Sequence, residues 1–101
     1  MNSIWIGLFQ VSGPKDNWML EGNAGAFIWI ASQAEDSAEL IAKVENAMQK
    51  LGLNINDSEQ VQKVLNEDDL SEAVAELIPQ ARRDKESVVC GTWHKFKNHD
   101  A

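Results

Sequence analysis

The sequence predicts an α+β domain: a two-layer sandwich in which a mainly antiparallel four-stranded sheet carries two helices on one face, in a ferredoxin-like or related split β-α-β arrangement. Three observations carry this. Two compact apolar runs rich in β-formers, Ile4 to Val11 and Ala26 to Gln33, flank a stretch containing glycines and a proline. Two later segments, residues 36–51 and 69–81, place apolar residues at helical spacing. The length, 101 residues, suits one domain with room for two layers. Residues 1–101 therefore read as a single α+β domain.

The first strand ends at Ser12-Gly13-Pro14, a turn signal. Residues 12–25 read as a loop, with Trp18-Met19-Leu20 as an apolar patch able to fold back. Two strands joined this way pair antiparallel. The helix over 36–51 is the clearest element. Asp36 can cap it, Glu39 stands three residues on as in a capping box, and Leu40, Ile41, Val44, Ala47, Met48 and Leu51 form its apolar stripe. Gly52 suits the left-handed residue that closes a helix, with Leu53 placed to cover it. A short strand is expected near 59–64. A second helix is expected from Asp69, with Glu72 three residues later and an apolar face of Leu70, Ala73, Val74, Leu77, Ile78 and Ala81; Pro79 should end or kink it. Val88 to Phe96 reads as the last strand, and residues 97–101 as a frayed tail.

Strand side chains alternate between faces. Ile4, Ile6 and Leu8 share one face of the first strand; Trp5, Phe9 and Val11 share the other. Ile28 and Ile30 alternate with Phe27 and Trp29 in the second, and Trp93 shares a face with Val89 and Gly91 in the last. If both helices pack on the aliphatic set, Trp5, Phe9, Phe27, Trp29 and Trp93 form an aromatic face without a helical cover. Such a face needs a lid. The loop carrying Trp18 is one candidate, a second copy or another protein is the other, and a ligand platform is a third.

Formal charge is −7 and unevenly distributed. Residues 35–86 hold 13 acids and six bases, a net of −7, whereas residues 1–34 and 87–101 nearly balance. A negative field disfavours phosphate backbones and anionic lipid and can attract a basic protein. Aromatic residues on an open sheet also serve in RNA-binding modules, but the first two strands carry no base and the last region only Lys95 and Lys97. No nucleic-acid or membrane partner is expected. No apolar run approaches membrane-spanning length. Met1-Asn2-Ser3-Ile4-Trp5 lacks the basic-then-apolar order of a signal peptide, and a lone Cys90 suits a reducing compartment, so a cytoplasmic location is expected.

Motifs for chemistry are sparse. Cys90, His94, His99 and Asp100 invite a metal reading. Cys90 and His94, taken as sharing a strand face, would stand about 13 Å apart, too far for one zinc ion. Glu35-Asp36-Glu39 and Glu67-Asp68-Asp69-Glu72 lack the spacing and central glycine of a calcium loop and suit helix starts. Gly22-Asn23-Ala24-Gly25 is no phosphate loop, because no Lys-Ser/Thr follows. Arg82-Arg83 reads as a solvated helix end. No cofactor and no catalysis are expected.

The sequence thus points to a small acidic protein-interaction module, of the inhibitor or immunity type that neutralises a basic partner such as a nuclease toxin. Trp5, Phe9, Trp18, Phe27, Trp29 and Trp93 would anchor the contact, and Glu67, Asp68 and Asp69 would steer it. The competing expectation is a homodimeric ligand-binding or regulatory domain using the aromatic face. A small enzyme completed across a dimer interface comes third.

Overall fold

The computed structural model describes residues 3–14 and 16–96. It contains four strands, β1 (Ser3–Ser12), β2 (Gly25–Ala34), β3 (Asn54–Lys63) and β4 (Val89–Phe96). Three helices accompany them: α1 (Ser37–Lys50), α2 (Glu72–Ala75) and α3 (Ile78–Arg83). A 3-10 turn, Glu67–Asp69, precedes α2. The strands form one sheet in the order β3-β1-β2-β4, every neighbouring pair antiparallel. The expected α+β class and four-stranded antiparallel sheet are therefore present. β2 and β3 run parallel with β1 between them, so β2-α1-β3 is a split β-α-β unit. The ferredoxin-like order is not followed, because β1 and β2 are consecutive with only a loop between them.

α1 forms where its caps require. Asp36 accepts a hydrogen bond from the Glu39 N–H at 2.8 Å. At the other end Gly52 takes φ +76°, and the N–H groups of Gly52 and Leu53 close on the Gln49 and Met48 carbonyls. Leu40, Val44 and Met48 are buried against the sheet. The region after β3 departs from expectation. Ser71, not Asp69, caps α2 by accepting from the Val74 N–H. Pro79 does not end a helix; it sits in the first turn of α3, where a missing N–H leaves no bond unmade. The result is two short helices in place of one. β3 extends well beyond the expected 59–64, reaching back to Asn54.

The layers differ from the predicted sandwich. Every β1–β2 pair has residue numbers summing to an odd value, as in Phe9 with Ile28, Leu8 with Trp29 and Ile6 with Ala31. Odd positions of β1 therefore share a face with even positions of β2. One core cluster joins Phe9, Val11, Ala26, Ile28 and Ile30 to Leu40, Val44 and Met48 of α1. A second joins Ile6, Ala31 and Val89 to Val74, Leu77, Ile78 and Ala81. The helices thus lie on opposite faces, α1 on one and α2 with α3 on the other. The physical reason is that β1 and β2 are apolar at both parities, as strands buried on both sides are. Gln33, on the α3 side, donates from Nε2 to the Ala81 and Arg82 carbonyls at 3.0 and 3.1 Å and ties the end of α3 to β2.

Among the described residues no helix is long and apolar enough to cross a membrane.

Candidate functional site

The odd register splits the predicted aromatic face. Phe9 is completely buried beneath α1, in the core. Trp5 lies on the same face, partly buried, and its indole Nε1–H is buried without a hydrogen-bond partner. Trp93 is there too, opposite Ile28. Phe27 and Trp29 occupy the other face, beside Gln10 and Leu8. The expectation of one aromatic surface opposite both helices is therefore overturned, and so is the expectation that Ile28 and Ile30 lie with Ile6 and Leu8. A one-residue change of register exchanges the faces, and no residue pattern within either strand sets that register.

Trp18 is not a lid over the sheet. It is 72% exposed at the tip of the β1–β2 loop. Its neighbour Leu20 does the packing, fully buried within the α1-side cluster. Asn17 fixes this loop by donating from Nδ2 to the Leu51 carbonyl at 2.7 Å.

A β-bulge changes the reading of β4. The pairing shifts between Ile28 and Ile30, so Ile28 faces Trp93 but Ile30 faces Cys90. Trp93 consequently shares a face with Cys90 and not with Val89 and Gly91. Cys90 and His94 come to lie on opposite sides of the sheet, which separates them more firmly than strand length alone. His99 and Asp100 lie outside the described residues. Among the described residues no three His, Cys, Asp or Glu side chains gather to hold a metal ion.

What remains open is half of the α2/α3 face. α2 and α3 cover its Ile6–Ala31–Val89 end. Beyond them two rows of side chains run across the sheet. One is Asp57, Gln10, Phe27 and His94; the other is Glu59, Leu8 and Trp29. Leu8, Phe27 and Trp29 are partly exposed, and Leu8 and Phe27 belong to neither core cluster. Trp29 leans against the cluster under α2. The Phe27 ring meets that of Phe96 at 5.3 Å in a tilted arrangement. Asp57 and Glu59 stand exposed along the β3 side, and no lysine or arginine lies in either row. The patch is apolar at its centre and acidic at one edge. Leu8, Asp57 and Glu59 were missed from the sequence because only cross-strand pairing brings them to Phe27 and Trp29.

Glu67, Asp68 and Asp69 are exposed on the 3-10 turn, at the opposite end of the sheet. Glu67 is engaged with Arg82 at 2.7 Å beside an open depression of about 640 Å³ lined by Ser3, Ile4 and Gln33. They do not adjoin the Phe27 patch. A second concavity lies on the other face, between α1 and β4, with a volume of about 600 Å³. Met48, Leu51, Val88 and Cys90 form its wall, and burial pushes the Cys90 thiol above its ordinary pKa.

Comparison with known proteins finds no match among family models, curated proteins or solved structures.

Proposed function

We propose that this chain is a protein-interaction module that binds a basic protein through the open half of the α2/α3 face. The observation behind this reading is the patch itself: Leu8, Phe27 and Trp29 left partly exposed, with Asp57 and Glu59 along one margin and no cation among them. Large apolar side chains beside a charged margin suit an interface anchor. The net charge of −7 would draw a basic partner from a distance, and the patch would hold it. Within this class we favour an inhibitor of the immunity type, which needs a small acidic surface and no catalysis or cofactor. The encounter belongs in the cytoplasm, where a lone cysteine stays reduced.

A second copy is the competing occupant, favoured by one feature. The Asp57–Gln10–Phe27–His94 row carries an acid at one end and an imidazole at the other. A twofold axis through it would set each copy's His94 near the other's Asp57. The like charge of two copies opposes this.

The test is site-specific photocrosslinking. A benzophenone side chain at Phe27 should capture a basic protein in the native cell, and the same group at Trp18 should not. Asp57→Lys with Glu59→Lys should abolish the adduct. An adduct only with a second copy would replace the proposal by the dimer, and crosslinking equal at both positions would reject the patch.

A further inference from the structure

The concavity between α1 and β4 stands apart from the proposed interface, on the other side of the sheet. α1 packs mainly on β3, β2 and β1 and leaves the inner side of β4 under a gap. Met48, Leu51, Val88 and Cys90 make that gap apolar, and its volume of about 600 Å³ falls within the range of small-molecule sites. Two lysines stand on its lip, Lys43 and Lys50, seven residues apart on α1 and so about 10 Å apart along it. Glu86 is the one acid on the opposite lip. In a chain of net charge −7, the lining of this groove carries two lysines against one acid.

Lys43 is held in position. Its Nζ donates to the Gln33 and Lys85 carbonyls, both at 2.8 Å. Neither acceptor carries charge, and no carboxylate of the described residues lies within ion-pair distance of it. Asp84 is close enough for Lys43 to lower its pKa, but its oxygens accept from the Glu86 N–H and the Ser87 hydroxyl and lie beyond ion-pair distance of Lys43. An ammonium has three donors, so these two bonds leave its charge unneutralised and one N–H unassigned.

We propose that the groove binds a small amphiphilic anion, with an aliphatic chain along Met48, Leu51 and Val88 and a carboxylate at Lys43. Lys50 adds to the attracting field from the far end of the groove. Chain length sets affinity, each methylene buried tightening binding by up to about fourfold.

Cys90 is the only cysteine, and it lines the groove, so it reports occupancy at one site. N-ethylmaleimide, a neutral reagent, would be reacted with the whole protein at fixed pH with decanoate added below its micellar range. Decanoate should slow alkylation of Cys90 saturably, whereas acetate and decyltrimethylammonium should leave the rate unchanged. Lys43→Gln should raise the half-protecting concentration by roughly tenfold, the loss expected for a charged hydrogen bond. Lys43→Arg, which keeps the charge, should retain protection, and thermal unfolding would show that both variants are folded. The proposal is overturned if decanoate gives no protection, if the cationic amphiphile protects equally, or if Lys43→Gln leaves the half-protecting concentration where it was.

Discussion

On the α1 side of the sheet, Phe9, Val11, Ala26, Ile28, Ile30 and Ala34 have no solvent contact at all. On the other side only the end beneath α2 and α3 is closed, and Leu8, Phe27 and Trp29 remain partly exposed. Helix length explains the contrast. α1 has 14 residues and spans about 21 Å, whereas α2 has four and α3 six, about 6 and 9 Å. A ten-residue strand runs about 33 Å, so the short pair leaves part of its face bare. The lesson is that apolar character in both parities of a strand demands two covers, and the weaker cover marks where something else can dock.

The contrast can be broken first by truncation. Phe9→Ala should cost about 3–5 kcal/mol, because it opens a cavity in the closed layer. Phe27→Ala should cost less, its contact with Phe96 worth about 0.5–1.5 kcal/mol and the burial of a partly exposed ring adding only part of a full Phe burial. Urea unfolding measures both, and equal losses would erase the distinction between the faces. The loop offers a matched pair: Leu20→Ala should destabilise by about 2–5 kcal/mol, and Trp18→Ala by no more than about 0.5 kcal/mol.

Charge sharpens the comparison at a smaller scale. If the patch is the interface, Asp57→Lys with Glu59→Lys should slow association with the partner more than Asp68→Lys with Asp69→Lys, which lie at the other end. Stopped-flow rates across a salt series would show it, since steering weakens with ionic strength. The reverse order would move the interface to the 3-10 turn.

The smallest effect concerns pH. The Glu86 N–H and the Ser87 hydroxyl hold the Asp84 carboxyl below its ordinary value of 3.8. A depressed pKa means that the folded state favours the charged form. This stabilisation is therefore present at neutral pH and is lost as pH falls below 3.8 through the folded value. Asp84→Asn should flatten that part of the stability profile slightly, and acid titrations of both proteins followed by circular dichroism would reveal it.

Much of the fold was legible in the sequence. Asp36, Glu39 and Gly52 marked α1 within a residue at each end, because caps are local chemistry. The two central strands were legible from composition. Their mutual register was not, since a twelve-residue loop leaves it free and a single step exchanges faces. The bulge in β4 was equally hidden, and it carried Trp93 and Cys90 to a common side. β1 and β2 are apolar at both parities, a pattern that fits burial on both faces, yet the expectation of both helices on one side did not follow it. The candidate site was legible only in part: Phe27 and Trp29 were named, but Leu8, Asp57 and Glu59 join them only across strands.

The central claim is that the Leu8–Phe27–Trp29 patch is open in the free protein and closes on its partner. Methyl relaxation in the presence of a neutral gadolinium chelate tests it directly, by comparing Leu8 with Ile28. Strong enhancement is expected at Leu8 and none at Ile28, and the Leu8 effect should be lost when the crosslinked partner is added. Leu8 methyls as protected as those of Ile28 in the free protein would contradict it.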